Sequence, residues 1–449
     1  MIATLVTILV VVVGIWAVFQ IQQGRPRAES RIVWMGYVAH VAASGAQYVI
    51  TTYWYGGGDM LYYARAGGVL ADLLSYDYAR FAPEIFALFI HEPPHLPMDV
   101  IGAGSSTGSL VAVAALLLHL LGGSLLGVCV LLSTLAYLAR IMMLRVFLEE
   151  LPQELHPAVR IAVLLLPSVT FWGATLAKET MVLIGIGPLT WVARRLTSTT
   201  TLTQRLLLAP VALLAGGLLW LVKSYVLVSF IAAAAVWWFM SVLRRRGRML
   251  TRVQLTFGAV ISVAAVALVG VVLPDFSVDA IAERAAELQA VGGIVQGGSS
   301  YQLGSTEARS GLAQAAFVPL ALMYSLFRPF LFEVRNPLML LNAIETTWIT
   351  VIVVQNFWKG GFAGLIATAR ESPVMAFSLV FVLLVGVGVG LATSNLGTLT
   401  RYRAPMMPFY AAFLVVWQHR TASAATRVRQ LAAPKLAGRR RRRTELEAV

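Results

Sequence analysis

Apolar residues run along this chain in blocks of about 15–22, the length that crosses a bilayer at 1.5 Å per residue. The blocks predict helices at about Ile2–Ile21, Ile32–Thr52, Leu125–Leu144, Val159–Phe171, Thr180–Val192, Leu206–Leu221 and Tyr225–Val242. Further helices are expected at about Val253–Leu273, Pro337–Gln355, Val374–Leu391 and Ala404–Trp417. Two shorter apolar stretches, Ser109–Leu121 and Leu312–Leu326, suit re-entrant or interfacial half-helices. The fold class is therefore all-α: a polytopic membrane protein of about 11 crossings plus two half-helices.

Charge sets the expected orientation. Arg25, Arg27 and Arg31 follow the first helix, Arg140 and Arg145 end the third, and Arg194-Arg195 and Arg244-Arg245-Arg246 end later ones. Basic residues collect on the cytoplasmic side, so the N-terminus is expected outside and the C-terminus inside. If Ser109–Leu121 crossed, Arg140, Arg145 and Arg194-Arg195 would face outside, and if Leu312–Leu326 crossed, the Arg439–Arg443 run would end outside. The first external loop, 53–107, carries six acids against Arg65 and Arg80. The second, 274–311, is rich in Gly and Ser and contains Asp275, Asp279, Glu283 and Glu287. Residues 1–418 then form the transmembrane domain and 419–449 a basic, disordered cytoplasmic tail.

Composition agrees. Apolar residues make up 58% of the chain and charged residues 12%, too little polar surface to cover a soluble core of this size. The first block is too long for a removed signal peptide and is expected to be retained. The formal charge of +14 gathers in the Arg439–Arg443 run and beside apolar segments, a topogenic distribution that calls for no nucleic acid. Cys129 is the only cysteine, which excludes an intramolecular disulfide.

This topology leaves Lys178, Lys223, Arg328, Arg335, Arg401 and Arg403 outside, against the charge bias. Each stands at a helix end or in a short connection. A guanidinium fork matches phosphate oxygens with paired hydrogen bonds, and lysine acts as a point charge. Headgroup snorkelling and structural ion pairs are the competing reading. Asp59, after Gly56-Gly57-Gly58, is placed to act as a general base toward an acceptor hydroxyl, or to cap the helix that follows. Glu84 and Glu92 are further carboxylates of that loop. His91-Glu92-Pro93-Pro94-His95 has metal-binding residue types, but its prolines forbid a helical ligand pair, so a polar surface loop is preferred and neither metal nor cofactor is expected. Glu345 falls mid-helix, as a proton-relay group or an interhelical hydrogen-bonder. His40 and His119 read as packed helix residues.

Four elements in order carry a resemblance. They are Gly58-Asp59…Tyr63, Pro167-Ser168-Val169-Thr170-Phe171-Trp172 through Lys178-Glu179, Arg328-Pro329-Phe330-Leu331-Phe332-Glu333, and Arg401-Tyr402-Arg403-Ala404-Pro405. The set resembles the GT-C superclass of membrane glycosyltransferases and O-antigen-polymerase-type proteins of bacterial polysaccharide assembly. The chain departs from that pattern by an additional N-terminal helix and by Lys223-Ser224-Tyr225 where relatives tend to show Arg-Pro. The resemblance implies residence in the bacterial inner membrane, a polyprenyl-phosphate-linked sugar donor, a glycan or lipid-linked acceptor, and chemistry on the external face. Asp59 would then be the base and the external cations the phosphate holders, supported by Tyr63, Glu179 and Glu333. A polymerase joining two lipid-linked oligosaccharides, and a transporter of an anionic lipid-linked solute, are the alternatives.

Overall fold

The computed structural model describes residues 2–198, 201–246 and 316–423. The expected helix Val253–Leu273, the loop 274–311, residues 312–315 and the tail beyond 423 lie outside the described residues. Among those described, the chain is all-helical with no strand. Among the described residues, five helices are long and apolar enough to cross a membrane: α1 (Ile2–Gln22), α6 (Leu125–Glu150), α10 (Leu202–Arg245), α12 (Pro337–Ala369) and α13 (Pro373–Ala392). The remaining helices are α2 (Arg27–Val49), α3 (Asp59–Tyr76), α4 (Tyr78–Phe89), α5 (Ser106–Leu120), α7 (His156–Leu164), α8 (Pro167–Trp172), α9 (Lys178–Ser198), α11 (Val318–Phe327), α14 (Leu396–Tyr402) and α15 (407–423).

Contacts sort the bundle into two ends. At one, Glu149 and Glu150 of α6 pair with Arg194 and Arg195 of α9, and Glu371 pairs with Arg420 of α15. Glu150 also accepts from the Trp237 indole at 3.1 Å and the Val374 N–H at 2.9 Å. At the other end lie Asp59, Lys178, Lys223 and Arg401. α10 is one helix by hydrogen bonding but two by direction. Ala215 and Leu219 pack on Gly185 of α9, Lys223 reaches Glu179 at the start of α9, and Trp237 has returned to Glu150. The turn is at Lys223 (φ −151°, ψ 77°), the expected hairpin tip.

α5 is tied to the Arg401 end at both termini: Ser106 and Thr107 accept from Lys178, and the turn after Leu120 leads to Ser124, whose hydroxyl donates to Ala3 at the start of α1. α11 descends along α13, with Ala321 against Gly390 and Ser325 against Gly386. The chain then reverses at Arg328-Pro329, where the Pro329 carbonyl accepts from Thr346 at 2.7 Å.

Two expectations are corrected. The helix read as Val159–Phe171 is broken into α7 and α8. Leu166 precedes Pro167 and takes extended backbone (ψ 120°), because the proline ring crowds the residue before it out of the α region. Arg140, read as a mark of the cytoplasmic end of its helix, is wholly buried, ten residues before that helix ends.

Close approach of small residues builds the core, as bundles in lipid require. A Cβ at Gly187 of α9 would strike the Ala139 carbonyl of α6, and one at Gly67 of α3 would strike Ala114 of α5. Phe230, Phe377, Phe381 and Phe409 stack edge-on and face-on between α10, α13 and α15.

Candidate functional site

The chain reaches the site through Gly56 (φ 64°) and Gly58 (φ 111°), left-handed positions that glycine fills without strain. α3 begins at Asp59, with Gly58 as its N-cap, and Asp59 makes no capping hydrogen bond. The capping reading is therefore set aside. The Asp59 carboxylate turns instead to Arg401, whose Nη2 lies 2.5 Å from Oδ2.

Arg401 sits in α14, a seven-residue helix started by the Asn395 side chain. Its Nε lies 3.1 Å from Glu179 Oε2, an ion-pair distance, although the N–H is not aimed at that oxygen. The other Glu179 oxygen accepts from Lys223 Nζ at 2.8 Å. Lys223 also stands 3.7 Å above the Tyr402 ring, a cation–π contact. The result is a chain of charges, Asp59–Arg401–Glu179–Lys223, drawn from four separate helices. Exposure grades along it: 49% for the Asp59 side chain, 22% for Arg401, 0% for Glu179 and 5% for Lys223.

Lys178 borders this chain. Its Nζ donates to Ser106 Oγ at 2.8 Å and Thr107 Oγ1 at 3.0 Å. It is the first residue of α9, and burial lowers its pKa, partly offset by Asp59 and Glu179. Tyr63, one turn into α3, is buried, and that burial, together with the Asp59 charge, raises its phenol above the ordinary tyrosine range. Burial disfavours the charged form of Arg401, yet Glu179 and Asp59 outweigh it and raise its pKa.

Other expected residues gather elsewhere. Arg328 makes a close ion pair with Glu333 and lies 4.3 Å over the Tyr324 ring. Arg403, wholly buried, donates to the Arg328 carbonyl at 2.5 Å. These residues shape the α11 reversal. Arg335 is exposed in the segment that follows. Glu84 accepts from the His95 backbone N–H at 2.6 Å, and Glu92 is exposed. Among the described residues no group of three or more His, Cys, Asp or Glu is placed to hold a metal.

The sequence reading gave Glu179 a supporting part, but it stands at the centre, between two cations. Its position one residue after Lys178, at the start of an apolar helix, was the available signal. Tyr402 was legible only as part of the Arg401-Tyr402-Arg403 element. Comparison with protein-family models, curated proteins and solved structures finds no match.

Chemically, the cluster offers a solvent-reachable carboxylate, a guanidinium shared between two acids, and a lysine held by neutral hydroxyls. A carboxylate of this kind can take a proton, and the cations can stabilise a developing anion.

Proposed function

We propose that the chain is a membrane glycosyltransferase that takes sugar from a polyprenyl-phosphate-linked donor in bacterial cell-surface polysaccharide or glycoconjugate assembly, working at the external face. One observation carries this reading. Arg401 bridges Asp59 and Glu179, so the Gly58-Asp59, Lys178-Glu179 and Arg401-Tyr402 elements meet at one end of the bundle although Asp59 and Arg401 are 342 residues apart.

In the proposed reaction Asp59 accepts the proton of an acceptor hydroxyl. The acceptor oxygen bonds to the anomeric carbon. The bond from that carbon to the phosphate oxygen breaks, and its electron pair goes to the phosphate. Arg401 and Lys178 hold the phosphate as its charge grows, and this is where electrostatic stabilisation lowers the barrier. Glu179 and Lys223 position Arg401 and make no contact with the reacting atoms.

The test is glycan product in cells and in reconstituted membranes supplied with a polyprenyl-phosphate sugar. Asp59→Asn and Arg401→Ala are each expected to abolish product while folded protein persists. Full activity in both variants overturns the mechanism.

A further inference from the structure

We infer that Arg401 and Lys178 form a binding site for a lipid-borne phosphate monoester, and that Asp59 is a built-in ligand occupying that site at rest. The inference deepens the proposed function and rests on it for the identity of the ligand. The geometry is independent of sugar chemistry.

The cluster has a fixed half and an exchangeable half. Glu179 and Lys223 are buried and hydrogen-bonded at 2.8 Å. Separating them would strand a charge away from water, so this pair stays made. Asp59 is different. Half of its side chain meets solvent, and it follows a glycine run with two left-handed backbone positions. Water is ready to replace Arg401 as its partner, and pairs exposed to water are individually weak. Arg401 therefore has one permanent carboxylate on its Nε edge and one displaceable carboxylate on its Nη2. A guanidinium that releases a carboxylate presents the fork that matches phosphate oxygens.

Lys178 adds the second hold. Among the described residues its ammonium touches two hydroxyls and no carboxylate. Ser106 and Thr107 aim it without neutralising it. Its charge interacts with Asp59, Glu179 and Arg401, so it belongs to the same field.

Charge then selects the ligand. Three cations, Lys178, Lys223 and Arg401, face two carboxylates, Asp59 and Glu179, and one positive charge is left over. With Asp59 displaced, two are left over. A phosphate monoester carries about −1.5 to −2 near pH 7, whereas a phosphodiester carries one charge. The site in its open form thus fits the polyprenyl phosphate that leaves better than the sugar-linked donor that enters. Asp59 resolves the resulting difficulty of product release. While it holds the acceptor proton it cannot compete for Arg401. Once ionised again, it retakes the guanidinium and the lipid phosphate departs.

The experiment is equilibrium binding to the purified full chain in phosphatidylcholine nanodiscs near pH 7 at fixed salt. The probe is farnesyl phosphate, with inorganic phosphate, inorganic pyrophosphate and uncharged farnesol as parallel arms. Asp59→Asn and Asp59→Ala are both expected to bind farnesyl phosphate about tenfold tighter than the unaltered chain, because the competitor is gone. Arg401→Ala and Lys178→Ala are each expected to bind it about tenfold weaker. Unchanged or weaker binding in both Asp59 variants overturns the built-in ligand. Unchanged binding in both cation variants overturns the site. Inorganic phosphate or pyrophosphate binding as tightly as farnesyl phosphate overturns the lipid source, and so does farnesol doing the same. If these binding shifts hold while no glycan product depends on Asp59, the transferase reading fails and this inference stands.

Discussion

Lys223→Met removes one charge from beside a carboxylate that water does not reach. Glu179 has no exposed surface, and Lys223 Nζ donates to it at 2.8 Å. Breaking a buried pair from one side costs about 3–5 kcal/mol, since the partner's charge stays behind uncompensated. Arg401 Nε remains 3.1 Å from the other Glu179 oxygen and keeps part of that compensation. The lower figure, about 3 kcal/mol, is therefore expected. Methionine follows the lysine stem closely in volume, so packing adds little to the loss. Glu179→Gln strands two cations at once and belongs nearer the upper figure. The double variant removes both charges of the pair, and replacing a whole buried pair is often nearly neutral, so it should recover most of the lost stability. Equilibrium unfolding in mixed micelles with rising dodecyl sulfate, followed by tryptophan fluorescence, gives the three values for a double-mutant cycle. Lys223→Met as stable as the unaltered chain would refute the reasoning. So would a double variant no more stable than the weaker single one. The folded double variant should still lose glycan transfer, because Arg401 has lost the carboxylate that orients it.

Two other outcomes are expected. Gly187→Ala should destabilise by about 1–3 kcal/mol, since its methyl meets the Ala139 carbonyl, whereas Gly45→Ala, with open space around it, should be neutral or slightly stabilising; the same unfolding assay reads both. Farnesyl phosphate affinity should fall as pH rises above neutrality. Burial lowers the Lys178 pKa, so its charge is lost at a lower pH than the ordinary lysine value of about 10.4. Lys178→Arg should flatten that fall, and an equally steep fall in this variant would remove Lys178 from the site.

The five long apolar helices were legible because apolar run length is a local property. The hairpin tip at Lys223 was legible too, as a lone cation between two apolar runs. The half-helices were read from charge parity; α5 and α11 are short apolar helices, and the contacts that fix their ends are ones no parity rule contains. Local pairs such as Arg328 with Glu333, five residues apart, lay within reach of sequence reasoning. The Asp59–Arg401 pair did not. Each residue was visible as polar chemistry at a helix end, but the sequence offers many acids and bases at helix ends and no term that joins position 59 to position 401. Glu179 was undervalued for a related reason. Beside Lys178 it reads as that lysine's neighbour, whereas the helix aims it at Lys223 and Arg401.

The break between α7 and α8 is the feature that a transport reading would claim, since broken helices in transporters leave their polar ends to substrates and ions. Here protein side chains occupy those ends. The Val163 carbonyl, freed by the break, accepts from Arg140 Nε at 3.0 Å and Nη2 at 2.5 Å. Arg140 Nη1 lies 2.5 Å from His40 Nε2, and His40 Nδ1 lies 3.1 Å from the Ser133 hydroxyl. At the start of α8, Glu345 accepts from the Ser168 N–H at 2.8 Å and from its hydroxyl. Glu345 is thus an interhelical hydrogen-bonder, and the break is a closed brace joining α2, α6, α7, α8 and α12. The same brace leads directly toward the charge cluster. Ser44 donates to the Ala174 carbonyl and Gln47 to the Phe171 carbonyl, each at 2.7 Å, which pins the connection from α8 into Lys178 and Glu179. The buried polar groups of the core are spent on holding the start of α9 still. That use of them suits a site where a guanidinium must be aimed at a phosphate, and at the α7–α8 break the chain's own side chains occupy both helix ends.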